Sequence, residues 1–332
     1  MEYNLLCCNV GRRGRLMLDF RKSLSGKGRI IATDNWSVAP ALFLADKMYM
    51  VPKLKDPSYM ETVLEICEKE KIKAVTSFID PEIELLSAHR EDFLSRGILP
   101  LCPSRATAHL CFDKYEMFKH LRSKGVRTVP TYRHLADFKD ALEGGEIAFP
   151  VFVKPVTGSG SVGARKVEDL ATLEELFREA KFDYIIQKLM TQGDCDADVY
   201  VDCISHEVVS VFSKRKIETR IGGASKTISF KDPALFDFVK EVCAALELSG
   251  PCDMDFFLDN GKYCLSEINP RFGGAYLHAY GAGVDFMSYI LQNIDGKACK
   301  PEIGNYEEGV LMLMYDDVVI ARESDLMRDY HD

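Results

Sequence analysis

Over the first hundred residues, short apolar runs alternate with stretches of helical periodicity. The runs at 4–10, 29–33, 48–51, 74–78 and 98–101 have the length and aliphatic character of buried strands, and helices are predicted between them near 14–24, 57–71 and 82–95. Such alternation builds βαβ units and predicts a parallel sheet with helices on its faces. Beyond Pro103 the pattern predicts one helix over 104–125, ended by Gly125.

A different regime begins at Thr128. FPVFVKP at 149–155 is a short strand bracketed by prolines, with Phe152 and Lys154 on one face. A strand at 164–167 follows, then a helix opened by Thr172 with Glu175 in a capping box. Further strands are predicted over 184–187, 199–204 and 208–214, and Asn260-Gly261 between 256–258 and 263–268 signals a hairpin.

Composition narrows the function classes. The 332 residues suggest about two domains, and 47% hydrophobic with 28% charged residues describes a globular chain with a sizeable core. A formal charge of −9 argues against gripping nucleic acid, although a basic pocket for one small anion is compatible with it. No run approaches the ~18 apolar residues of a membrane span, and the start, MEYNLLCCNV, lacks a basic leader and cleavage site, so the reading is cytoplasmic, away from membranes. The eleven cysteines show no CxxC spacing and read as reduced, buried thiols; the seven histidines show no HxxxH or HxH spacing. Any metal would take oxygen ligands.

Four segments carry candidate chemistry. Gly11, Arg12, Arg13 and Gly14 follow the first strand and are open to three readings: an ordinary strand-to-helix turn, an anion site at a helix start, or, with Asp34 as ribose acid, a dinucleotide turn lacking one glycine. Lys154 ends a buried-looking strand and needs an anionic partner. Directly after it come Gly158, Ser159, Gly160, Ser161, Val162 and Gly163, a run whose backbone can approach a phosphate closely; it lies between strands and has no GKS or GKT, which excludes a P-loop. Lys214, Arg215, Lys216, Arg220 and Lys226 form either a solvated edge or an anion-binding wall.

The hairpin holds the strongest local signal. Tyr263, Leu265, Glu267 and Asn269 are predicted to share one face of its second strand. A three-residue turn would pair Asp255 with Glu267, whereas a two-residue turn would send Asp255 to the opposite face. Facing carboxylates about 5 Å apart repel unless a cation intervenes, and magnesium, with manganese as the alternative, suits Asp255, Glu267 and Asn269 plus phosphates and water. Arg271 follows within reach of the same phosphates.

Taken in order, Asp113-Lys114, FPVFVKP, the small-residue loop, IIQKLM at 185–190, KRKIETR at 214–220 and a hairpin ending EINPRFGG resemble the ATP-grasp superfamily, closest to single-copy proteins similar to one half of the carbamoyl-phosphate synthase large subunit. The resemblance covers nearly the whole chain. It implies an α/β and α+β fold, with a Rossmann-like parallel sheet over 1–110 preceding a two-lobed ATP-grasp fold, whose small subdomain spans 111–188 and large subdomain 189–332. It further implies that Lys114 and Lys154 hold ATP phosphates beneath the loop and that adenine sits at Gln187, Lys188, Leu189 and Met190. Asp194 would take the ribose, with Asp196 competing. Asp255, Glu267 and Asn269 match the metal ligands, and Arg215, Arg220 and Arg271 the catalytic cations. The implied reaction joins a small carboxylate, such as an amino acid, to an amine with release of ADP and phosphate; homodimers are common in the family. A small-molecule kinase and a non-catalytic ATP-binding protein are the alternatives. His278 and the Arg12/Arg13 turn are candidates to line the substrate pocket, with a packing role as the other reading of His278.

Overall fold

Five parallel strands form the first sheet of the computed structural model, which describes residues 2–326 apart from 159, 180, 221 and 222. They are β1 (Asn4–Cys8), β2 (Ile30–Asp34), β3 (Lys47–Met50), β4 (Ile72–Ser77) and β5 (Leu99–Pro100), in the order β3-β2-β1-β4-β5. Every residue of β1 is buried because both faces are covered. Leu5 and Cys7 share a core with Leu16, Met17 and Phe20 of the helix Gly14–Leu24, and Leu6 and Cys8 share another with Val63 and Ile66 of the helix Tyr59–Lys69. This is the predicted sheet, with strand ends displaced by a residue or two. All eleven cysteines are free and buried.

Two predicted helices are each broken in two. The segment 82–95 resolves into Asp80–Ala88 and Arg90–Leu94, and 104–125 into Arg105–Phe112 and Lys114–Ser123. The second break has a clear cause: the Asp113 carboxylate accepts the N–H groups of Tyr115 and Glu116, each at 2.9 Å, and so starts a new helix. Lys114 thereby becomes the first residue of that helix.

The second sheet is antiparallel and small: β6 (Thr131–Tyr132), β7 (Val151–Pro155), β8 (Arg165–Val167) and β9 (Tyr184–Lys188), ordered β6-β9-β7-β8. Its core is its own, built from Phe138, Val151, Val153, Leu173, Tyr184 and Ile186. The helix behind it spans Leu170–Glu179 and is opened by Asp169, which accepts the Thr172 N–H at 2.8 Å; the cap lies three residues before the predicted one, because Asp169 reaches the free N–H groups first.

The third sheet is β10 (Cys195–Val201), β11 (Val208–Arg220), β12 (Gly223–Phe230), β13 (Gly250–Asp259), β14 (Lys262–Asn269) and β15 (Leu311–Leu313), ordered β14-β13-β10-β11-β12-β15 and antiparallel throughout. β10 starts at Cys195, before the predicted 199, and β11 runs on to Arg220, beyond the predicted 214. Phe272 joins this sheet to the first, its ring lying 5.0 Å from Phe20 and 6.3 Å from Phe78, and the two sheets share one apolar cluster. The small sheet stands against them with a separate core.

Candidate active site

The β13–β14 hairpin closes with two residues, Asn260 and Gly261, both at positive φ (50° and 75°), and pairs Asp259 with Lys262. A two-residue turn alone would put Asp255 and Glu267 on opposite faces. The ladder instead slips between Phe256↔Leu265 and Asp255↔Glu267, leaving Ser266 as an extra, bulged residue. The bulge rephases the strand: Tyr263 and Leu265 stay opposite Leu258 and Phe256, while Glu267 and Asn269 turn to the other face, opposite Asp255 and Asp253. The expectation that Leu265 and Glu267 share a face is therefore corrected, and the Asp255–Glu267 pairing arises without a three-residue turn.

β10 extends the acidic face. Asp196 lies opposite Asp255 and Asp198 opposite Asp253, while Cys195 and Ala197 face the core beside Phe256 and Met254. Next to β10, β11 supplies the counter-charges. Lys214 Nζ lies 2.5 Å from Asp198, fully buried, and Lys216 Nζ lies 2.9, 2.8 and 2.5 Å from Asp194, Asp196 and Asp255. Asp198 and Asp253 were not singled out by the sequence analysis, which named Asp196 only as a competitor for the ribose and Lys216 only within the cationic set, although the spacing Asp194, Asp196, Asp198 is itself a period-two signal.

Two lysines from outside this sheet reach the same carboxylate. Lys154, buried at the end of β7, places Nζ 3.0 Å from Glu267 Oε2. Lys114 places Nζ 3.9 Å from Glu267 Oε1 and donates to the Gly158 carbonyl at 2.6 Å. Its backbone N–H bonds Val156 O at 3.1 Å, which ties its helix to the end of β7. The loop beyond bears positive φ at Gly158, Gly160, Ser161 and Gly163, and exposes Val162. Ser159 lies outside the described residues. A small pocket between Lys114, Gly158, Glu267, Asn269 and Asp80 opens here.

Electrostatics follow from burial and these pairs. Burial works against the Asp255 anion, but Lys216 and a hydrogen bond from Asp196 hold it down at about 2. Burial and then the charge of Asp255 push Asp253 up to about 6 and Asp196 well above the usual carboxylate range. For Lys216, burial opposes the charge and the three aspartates outweigh it, so its ammonium is held above the ordinary lysine range. Burial, aided by Lys154, draws Lys114 down.

The donor set suits a hard divalent cation. Asp255 and Glu267 offer carboxylates, and the Asn269 amide nitrogen donates to Asp253 at 3.4 Å, which leaves its carbonyl oxygen to accept. Ammonium groups already balance both carboxylates where a metal would stand. Among the described residues no three acidic, histidine or cysteine side chains form a metal cage, and magnesium, which keeps waters and substrate phosphates, does not need one.

The remaining predicted residues fall elsewhere or take other partners. Arg271 is buried and bidentate to Asp80, with Nε 2.8 Å from Oδ1 and Nη2 3.2 Å from Oδ2. The structure does not bring Arg215 or Arg220 to the acidic face. Strand alternation turns Arg215 to the side opposite Lys214 and Lys216, over the Phe230 ring at 5.2 Å, and Arg220 pairs with Asp316 on the exposed end of β11. Gln187 is buried and donates to Thr131 Oγ1 at 2.9 Å, Lys188 bonds Asp259 at 2.9 Å, and Lys188 and Leu189 line a cleft with Phe149 and Pro150, with Met190 following. Asp34 accepts the Gly11 N–H at 2.8 Å and the Trp36 N–H at 3.0 Å, so it closes the turn itself. His278 is buried, with Nε2 donating to Val310 O at 3.0 Å and Nδ1 accepting from Thr227 at 2.7 Å; burial and then Lys214 draw it down to about 4, which makes it a neutral packing residue.

Comparison with known proteins agrees with this architecture. Residues 5–101 match the PylC-like N-terminal domain and residues 111–275 the ATP-grasp domain. The carbamoyl phosphate synthase large chain of Thermoplasma acidophilum is 25% identical over 246 residues, 69% of this chain and 23% of that protein. D-alanine–D-alanine ligase A of Bradyrhizobium diazoefficiens is 30% identical over 183 residues, 47% of this chain and 48% of the relative. This chain thus spans under half the length of both. Among solved structures, N5-carboxyaminoimidazole synthetase from Staphylococcus aureus complexed with ADP superposes with a TM-score of 0.71 at 17% identity, covering 91% of this chain and 80% of that one, which shows a shared fold.

Proposed function

From a chain that carries an ATP-grasp domain behind a PylC-like N-terminal domain, we propose an ATP-dependent carboxylate–amine ligase that forms an amide through an acylphosphate and releases ADP and phosphate. The observation that carries this reading is the convergence of Lys114 and Lys154 on Glu267, opposite Asp255 and beside Asn269, under a glycine-rich loop. Two buried cations against one carboxylate leave positive charge for ATP phosphates, and the paired carboxylates with Asn269 would hold magnesium. Bound there, magnesium neutralises phosphate charge.

In this reading a carboxylate oxygen of the acid substrate attacks the γ-phosphorus and ADP leaves. The amine nitrogen then attacks the acyl carbon, phosphate leaves and the amine proton passes to solvent. Lys154 and Lys114 stabilise charge on the transferred group, Arg271, held by Asp80, orients it, and the 158–163 loop excludes the water that would hydrolyse the acylphosphate. Adenine takes the Gln187–Met190 segment. Its recognition falls to the backbone and to Leu189, since the Gln187 side chain is engaged with Thr131. Asp194 suits the ribose better than Asp196, because it is 43% exposed against 7%.

Separating ADP from AMP after incubation with Mg-ATP, pooled amino acids and small carboxylic acids tests the proposal. ADP that depends on both an acid and an amine supports it. AMP overturns the acylphosphate route, and ADP formed without an amine reassigns the chain to phosphoryl transfer.

A further inference from the structure

Arg13 is left unexplained by the nucleotide site. It leads into the helix Gly14–Leu24 at the carboxyl ends of the first sheet's parallel strands, where open α/β sheets take ligands. Its side chain, only partly buried, makes no hydrogen bond or ion pair among the described residues, although it stands beside a second guanidinium, that of Arg271. Asp80 and Asp253 are the acids of this corner, but Asp80 is occupied by both contacts to Arg271, and Asp253 faces Lys214, Asp198 and Asn269. A partly buried guanidinium with no protein acceptor keeps five N–H donors in a planar fork available, and that fork suits a carboxylate or phosphate. Two glycines clear the approach. A methyl group at Gly274 would lie 3.1 Å from Arg13 Nη1, and one at Gly273 would lie 2.6 Å from Asp253 and 3.0 Å from Asp198.

Position then separates this corner from the reacting centre. Arg271 feels Asp80, Asp253 and Glu267, whereas Arg13 feels Arg271, Asp253 and Asp80. Asp253 pairs with Asn269 and Asp255 with Glu267, and Arg13 lies against Gly274, beyond the Asn269 end of the strand, so it stands past the Asp253–Asn269 pair and not at the paired carboxylates Asp255 and Glu267. A group held there is not the carboxylate being activated. We propose that Arg13 is a specificity-determining residue that binds a second anionic group of the acid substrate, so that the preferred substrate is a dianion, a dicarboxylate or a phosphorylated acid. This inference rests on the ligase reading only for which substrate carries the group.

The test is calorimetric binding to the full chain with Mg-ADP present. Succinate, glutarate, L-glutamate and 3-phosphoglycerate are compared with butyrate and lactate, in wild type, Arg13→Met, Arg13→Lys and the exposed neighbour Arg12→Met. Fluorescence of Trp36, the chain's one tryptophan, whose backbone N–H bonds Asp34 next to the turn, gives a second readout of the same binding. At least one dianion is expected to bind wild type and Arg12→Met roughly tenfold or more tighter than the monoanions. Arg13→Met should lose that preference and Arg13→Lys keep part of it, with ADP affinity and melting temperature unchanged. Wild type showing no dianion preference overturns the proposal, as does a preference that survives in Arg13→Met. A preference lost with Arg13 while no acid yields ADP from Mg-ATP keeps the anion site and removes the ligase reading. Acid-dependent ADP formation without dianion preference does the reverse.

Discussion

Glu267 balances two buried lysines, so its charge organises the centre. Glu267→Gln keeps the shape and removes the charge. ADP formation should fall about a hundredfold or more, and near-wild-type turnover in a coupled ADP assay would remove Glu267 from the proposed machinery. A different carboxylate governs pH. Glu82 is fully buried in the first domain, bonded to Tyr59 and Ser77 and accepting from Asn9 at 2.6 Å, and burial pushes it up to about 8 against an ordinary 4.5. Between those values the unfolded chain ionises Glu82 and the folded chain keeps it protonated. Stability attributable to this group is therefore greatest below about pH 4.5 and declines as pH rises towards 8. Glu82→Gln, which cannot ionise, should flatten the fall in melting temperature between pH 5 and pH 8; an unchanged slope by calorimetry would refute the assignment.

At the scale of the element, one residue sets the acidic face. The Asn260-Gly261 turn fixes the register near the tip, and Ser266 shifts the phase beyond it, so that Asp255 meets Glu267. Deleting Ser266 removes only the extra residue and leaves a regular ladder in which Glu267 still meets Asp255, so nucleotide binding should survive, whereas inserting one alanine after Ser266 should rotate Glu267 and Asn269 onto the core side, at a cost of several kcal/mol for an unpaired buried carboxylate, with loss of nucleotide binding. Ser266→Ala keeps the backbone and should change stability by no more than about 0.5 kcal/mol. Retained nucleotide binding in the insertion variant would show that the phase of this strand has no such role.

Across the whole molecule, the ion pair between Asp80 and Arg271 joins residues 191 positions apart and ties the first sheet to the end of β14. Both side chains are at most a tenth exposed, so removing either partner strands a buried charge, at roughly 3 kcal/mol. A double-mutant cycle with Asp80→Ala and Arg271→Ala should show the double variant losing clearly less than the two single losses added together; additive losses would mean no coupling. Phe272 supports the same junction through Phe20 and Phe78, whereas the small sheet has its own core, an arrangement that leaves it the lobe best placed to close over nucleotide.

Local pattern was enough for the parallel sheet, the hairpin and the strand leading into the glycine-rich loop, because alternation of burial and turn chemistry act over a few neighbouring residues. The same pattern missed the helix break at Asp113, since a capping carboxylate competes with the helix only once its N–H partners are in place. Side-chain direction was beyond its reach. Whether Glu267 faces Asp255 depends on a bulge defined by cross-strand pairing, and whether a basic residue of β11 meets the acids or the opposite face depends on which alternate position it holds, so Lys216 meets three aspartates and Arg215 lies over Phe230. The sequence by itself determined the elements and the inventory of charges. Tertiary structure alone decided which charges meet, because pairing Asp80 with Arg271, or leaving Arg13 without an acceptor, is settled by packing between elements far apart in the chain.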